Sequence, residues 1–112
     1  MKILSIMMLD SASLHPPSET DMQRMGAFIE ELKGKGALVD TGGAMDGMLE
    51  LQVARKGGDY SVVDGPFSEA KEVVGGYALL DVADREEAIA LTRRFLDIIG
   101  DATCHLHEVS SP

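Results

Sequence analysis

Asp64-Gly65-Pro66-Phe67 sets a carboxylate directly after the β-branched pair Val62-Val63 and behind it the two residues that most restrict a turn. Proline fixes φ and glycine admits conformations closed to other residues, so the carboxylate is held near one place. A fixed, partly desolvated carboxylate has its pKa raised towards working pH and can act as a general base. The same side chain could accept hydrogen bonds from backbone N–H groups ahead of it and tie the turn. Both readings stand on the residues alone. Gly65 and Pro66 shape the backbone, and Phe67 either anchors the turn in the core or walls a pocket. Glu69, Lys71 and Glu72 read as a solvated charged turn, in which Lys71 could neutralise an anionic ligand near Asp64. Gly75-Gly76 permits close backbone approach, and Tyr77 could present a phenol to a cleft. Gly65, Pro66, Phe67, Lys71 and Tyr77 are therefore the candidate ligand contacts.

His105 and His107 lie two apart in an alternating run, which puts them on one strand face. Such a pair could bind a metal with Asp64, but two histidines are too few for a metal signature, and no metal site is expected. They could instead serve as proton-transfer partners of Asp64. Cys104 falls on the opposite face, which disfavours a Cys-His pair, and His15 beside Pro16 reads as solvated. No phosphate-cradling glycine motif, Walker motif, nucleophile elbow or His-Glu-x-x-His occurs, so no cofactor is expected.

The elements that would carry these groups follow from periodicity. Residues 3–9 are apolar on both faces except Ser5, the pattern of a strand covered on two sides. After Pro16-Pro17, Ser18 or Thr20 can cap a helix whose stripe is Met22, Met25, Phe28, Ile29 and Leu32, ending at Gly34 and Gly36. A second strand starts at Ala37–Val39, and Gly42-Gly43 should break or bulge it. Residues 48–55 and 60–63 read as strands joined by a Lys56–Asp59 hairpin turn. Another apolar strand spans 77–82. Asp84 and Glu87 open a second helix with the stripe Ala88, Leu91, Thr92, Phe95 and Ile99, which Gly100 stops. The last strand spans 104–109.

The order β-α-β-(hairpin)-β-α-β is the split arrangement of a ferredoxin-like α+β fold, βαββαβ with an added hairpin, on an antiparallel sheet. At 112 residues, with 45% hydrophobic and no linker, the chain reads as one domain, 1–112. Two helices cover one face of such a sheet, yet 3–9 and 77–82 are apolar on both. A second copy is the expected cover, giving a homodimer with sheets face to face. The net charge of -9 argues against nucleic acid and anionic membranes as partners. One cysteine excludes an internal disulfide, and the apolar run 3–9 is too short to span a membrane. No signal peptide is evident, so a cytoplasmic setting is expected.

The DGPF stretch, followed by Glu69, Lys71, Glu72 and Gly75-Gly76-Tyr77, resembles the signature of YCII-related, DGPF-domain proteins. "GAFIEELKGKGALVDTGG" (26–43) and "DVADREEAIAL" (81–91) are similar to two further segments of that family. The resemblance covers nearly the whole chain and implies a dimeric α+β barrel of ferredoxin-like protomers. The family's biochemical activity is largely unassigned. Some relatives carry a transcription-initiation label because their genes neighbour extracytoplasmic-function sigma factors, and a related branch is thought to use a His-Asp pair in a cleft. Many relatives place a histidine just before the Gly-x-Phe element, where this chain has Met25. The frequent "EVRP" end of the last strand is replaced by His105-Leu106-His107-Glu108-Val109.

Two functions follow as expectations. One is a small enzyme with Asp64 as general base, assisted by Tyr77, His105 or His107, acting on a small organic molecule. The other is a non-catalytic dimeric module that binds a small ligand or a protein, linked to sigma-factor regulation. Met25 shifts weight to the second; the retained DGPF cluster keeps the first.

Overall fold

The computed structural model describes residues 1–10, 17–44, 48–65 and 72–110. In chain order these form β1 (Lys2–Asp10), α1 (Glu19–Gly34), β2 (Leu38–Gly43), β3 (Leu51–Lys56), β4 (Asp59–Asp64), β5 (Glu72–Asp81), α2 (Arg85–Ile99) and β6 (Thr103–Val109). The four longer-range strands make one antiparallel sheet in the order β2-β5-β1-β6, and β3-β4 make a separate two-stranded sheet. This is the ferredoxin-like arrangement with its added hairpin.

Local chemistry sets the helix ends. Ser18 Oγ accepts from the Asp21 N–H at 3.1 Å, and Asp84 Oδ1 accepts from the Glu87 N–H at 2.9 Å, each satisfying a donor the first turn leaves open. Past α1, Gly36 adopts φ +73 and lets the Ala37 N–H reach back to the Leu32 carbonyl at 2.9 Å. At the hairpin tip, Gly57 and Gly58 both have positive φ, as a tight two-residue turn requires.

One core lies between the helices and the sheet: Ile3, Phe28, Leu32, Ala37, Leu38, Leu80, Val82 and Ala88 are buried, with Met25, Ile29, Leu91, Phe95, Ile98 and Leu106 packed against them. Both helical stripes thus face the sheet as their spacing dictates. Ile98 packs against this core, one residue before the Ile99 of the expected stripe.

Strand bounds differ from expectation where pairing overrides propensity. β2 runs through Gly42-Gly43, because Gly42 and Gly43 pair with Tyr77 and Gly76. β5 starts at Glu72, five residues before Tyr77, because it pairs with β1 from Asp10 back to Lys2. Two irregularities adjust the faces. Met7 pairs with Gly76 but Met8 with Val74, so Gly75 is the extra residue of a bulge. Leu38 pairs with Leu80 but Asp40 with Leu79, so Val39 is extra in β2. That second bulge moves Asp40 off the core face occupied by Leu38.

The radius of gyration is 15.9 Å, against about 13 Å for a compact chain of this length, and the extents are 44 × 37 × 19 Å. The thin axis fits one helix layer on one sheet; the excess length fits a hairpin that pairs with no strand of the main sheet.

Candidate functional site

The register sorts the sheet's side chains. Ile3, Ser5 and Met7 of β1 face the helices with Ala78 and Leu80 of β5 and Cys104 and Leu106 of β6. Leu4 and Ile6, Tyr77 and Leu79, and His105 and His107 occupy the helix-free face. His105 and Tyr77 sit opposite Ile6 from either side, two strand spacings or about 10 Å apart at the backbone. Cys104 lies on the other face from both histidines, as alternation requires.

On the helix-free face the Tyr77 hydroxyl donates to Asp40 Oδ2 at 2.6 Å, while Thr41, paired with Ala78 and so on the helix side, donates its Oγ1 to the Tyr77 carbonyl at 2.8 Å. The Thr41 N–H donates to Asp40 Oδ1 at 2.9 Å. The phenol, and secondarily this amide, hold the Asp40 carboxyl below its ordinary range. The charge of Asp40 in turn holds the Tyr77 phenol above its own, chiefly through the hydrogen bond. At neutral pH the pair is thus a carboxylate and a neutral phenol, and Tyr77 is a donor rather than a base. The Tyr77 ring lies over Gly42, where a Cβ would stand 2.8 Å from Cε1.

Asp64 stands exposed at the end of β4, opposite Leu51 in the two-stranded sheet. The Gly65 N–H donates to the Glu50 carbonyl at 2.7 Å, so it is not bound by the Asp64 carboxylate. Among the described residues no hydrogen bond or ion pair joins Asp64 to Tyr77, His105 or His107. Pro66, Phe67 and Lys71, with His15, lie outside the described residues. The candidate residues that are described therefore fall in two places: Asp64 and Gly65 on the hairpin, and Tyr77, His105 and His107 on the main sheet, where Tyr77 also lines the helix-side groove.

The helix side holds a groove that local sequence patterns do not reveal. A cavity of about 1040 Å³ opens between α1, α2 and the sheet. Met7, Met25, Phe28, Leu91, Phe95 and Ile98 are among the side chains that line it. The glycines Gly43, Gly75 and Gly76 also line it, and the side chains of Met7 and Leu9 lie against the position that a Cβ of Gly75 would take. Among the described residues, Asp10, Asp21, Arg24, Asp97 and Asp101 are the charged ones of the lining. Met25 is an apolar part of this wall. Cys104, beneath it, is a thiol pushed up by burial and pulled back by a hydrogen bond from Ser5. Asp40 and the groove were missed from sequence because each depends on partners far along the chain; Tyr77 and Asp40 are 37 residues apart. Among the described residues no three of His, Cys, Asp and Glu group as metal ligands, and no helix is long and apolar enough to cross a membrane.

A family model described as YCII-related domain matches residues 1–95 of the chain. None of the curated proteins compared with it matches.

Proposed function

The chain belongs to the YCII-related domain family, and we propose that this protein is a small-molecule-binding module whose ligand occupies the groove between the helix pair and the sheet. The carrying observation is the groove itself: about 1040 Å³, with an apolar wall and charged groups in its lining. Ligand sites are concave, mostly apolar spaces of roughly 300–1,000 Å³ with a few polar groups. Met7, Met22 and Met25 suit such a wall, because unbranched thioethers adapt to different shapes.

The test uses the protein's own methionines. With 13C-methyl-methionine labelling, small aromatic compounds that bind the groove should shift the methyl signals of Met7, Met22 and Met25. Met8, on the helix-free face, and Met48, beside the hairpin, should stay in place. Shifts confined to Met8 or Met48 would remove the groove from consideration.

The same reading makes the protein a homodimer. The helix-free face presents Leu4, Ile6 and Leu79, and the hairpin presents Leu51, Val53, Tyr60 and Val62 on one of its faces, Val53 63% and Tyr60 74% exposed. A lone two-stranded hairpin is marginal in water, so a covering partner supplies what the protomer lacks. Light scattering at micromolar concentration should give twice the chain mass, and a stable monomer sinks this part.

A second reading, acid–base chemistry centred on Asp64, is favoured by one observation: the neighbouring Gly65 N–H is spent on Glu50, which leaves the Asp64 carboxylate free of that turn bond. Asp64→Asn should abolish turnover of any substrate found while leaving groove binding intact. Undiminished turnover in the variant excludes Asp64 as the base.

A further inference from the structure

We propose that the β3-β4 hairpin is an exchanged arm, whose apolar face seats on the helix-free sheet face of a second copy and sets Asp64 beside the partner's His107; this rests on the homodimer reading. Pairing sorts the hairpin into two faces. One carries Leu51, Val53, Tyr60 and Val62, with Arg55 over the Tyr60 ring at 5.8 Å near the tip and Asp64 opposite Leu51 at the base. The other carries Gln52, Ala54, Lys56, Asp59 and Ser61 with Val63. The apolar face has nothing of the main sheet against it. The hairpin pairs with no strand there, and Val53, Tyr60 and Val62 stay more than half exposed.

The helix-free face matches this surface in length and in charge. Register places Asp40, Leu79, Leu4 and His107 in one row across β2, β5, β1 and β6, and Gly42, Tyr77, Ile6 and His105 in the next. From Asp40 to His107 is three strand spacings, about 14 Å at the backbone. From the Arg55–Tyr60 pair to the Leu51–Asp64 pair along the hairpin is also about 14 Å. A hairpin laid across the strands therefore puts Arg55 on the Asp40 carboxylate, Val53 and Val62 on Leu79 and Leu4, and Asp64 within reach of His107. There the carboxylate accepts from an imidazole N–H. Reversing the hairpin would set Asp64 against Asp40, which its bond from Tyr77 holds as a carboxylate. Arg55, Asp64, His105 and His107 make no ion pair among the described residues. The charged register pairs Lys2–Asp81 and Asp10–Glu72 stand at the two ends of β1, outside these rows. The hairpin extends away from its own sheet, as the 15.9 Å radius of gyration reflects, so the face it reaches is another molecule's. Two such contacts about a two-fold axis make an isologous dimer. A dimer of bare sheets alone would leave the hairpin's apolar face in water.

Two experiments locate the arm. In the first, Val53→Lys with Val62→Lys alters side chains that the protomer leaves exposed. The dimer dissociation constant should rise at least roughly a hundredfold, because the lysines would have to be buried against leucines. Light scattering should then give one chain mass at a concentration where the unaltered protein gives two. In the second, an Asp64→Cys chain and a His107→Cys chain, both with Cys104→Ala, are mixed and treated with a short bis-maleimide. A covalent dimer should form in the mixture and in neither chain alone. A chain carrying both cysteines should link to another chain rather than within itself. A dimer that survives the lysine substitutions, or a mixture that does not cross-link, overturns the exchanged arm and leaves the homodimer reading standing. A link within one chain also overturns it, since the hairpin would then cover its own sheet. Unaltered protein that is monomeric overturns both. The cross-link, made with Val53 and Val62 intact, decides the matter should the lysine variant fail to fold.

Discussion

Gly76→Ala is the perturbation whose effect the structure prices most directly. Gly76 is buried between β1 and β2, paired with Met7 on one side and Gly43 on the other. A Cβ there would stand 2.7 Å from the Gly42 carbonyl oxygen, whereas ordinary contact begins at 3.4 Å. The obstacle is backbone, not the end of a flexible side chain, so β2 has to move away from β5 or the pair has to break. Inserting a methyl where nothing can rotate aside costs about 1–3 kcal/mol. For a domain of this size each kcal/mol lowers Tm by about 4 °C, so the melt should fall by roughly 4–12 °C. Gly26→Ala is the matched control, since nothing lies within 4 Å of a Cβ at that position inside α1. Alanine relieves the helical cost of glycine there, so stability should rise by about 0.5–1 kcal/mol and Tm by roughly 2–4 °C. Both melts are followed by circular dichroism at one protein concentration, because association alone shifts Tm. A Gly76→Ala protein melting within about 1 °C of the wild type would refute the steric argument. So would an equal loss in Gly26→Ala, which would show that the two positions differ in nothing that matters.

Three further outcomes are expected. Tyr77→Phe removes the phenol that holds Asp40 down, so the Asp40 carboxyl should titrate higher, closer to its ordinary value, in a carboxyl-carbon NMR titration; an unmoved titration would mean that the bond is not made. Glu31 links α1 to α2 through a two-pronged pair with Arg94, at 2.7 and 2.8 Å, and titrates at about 2 against an ordinary 4.5. Because its folded value is depressed, the stability this linkage contributes is complete above about pH 4.5 and is lost as the pH falls towards about 2. Arg94→Met should therefore flatten acid unfolding across that window, and an acid limb identical to wild type would count against it. Partial burial pushes the Cys104 thiol above its ordinary value, so labelling with a maleimide at neutral pH should be slower than for a free peptide thiol and should speed up on unfolding; labelling of the folded protein as fast as of the unfolded would contradict the placement on the helix side of the sheet.

Much of the fold was legible because its signals are local. The caps at Ser18 and Asp84, the stripes Phe28-Leu32 and Ala88-Leu91-Phe95, and the Gly57-Gly58 turn depend on residues within a few positions of one another. The strand ends were less legible. Gly42-Gly43 reads as a break by propensity, yet β2 passes through it because β5 offers hydrogen bonds that no local rule foresees. The candidate site was legible in part. Alternation separated Cys104 from His105 and His107 correctly, but nothing near Asp40 announces Tyr77, and nothing near Asp97 announces Asp10.

The sequence by itself determined the element order, the ferredoxin-like class and the family, since periodicity, capping and the DGPF-to-GGY spacing are properties of neighbouring residues. Tertiary structure decided where Asp64 stands, on a hairpin outside the main sheet, and which face Asp40 takes, through a one-residue bulge that turns it from the core to the phenol of Tyr77. It also decided that four carboxylates, drawn from β1, α1 and α2 and the residues that follow it, line one apolar groove. The reason is physical: a cavity and its field are set by which distant segments the sheet register brings to the same end, and that register is enforced by pairing across the chain.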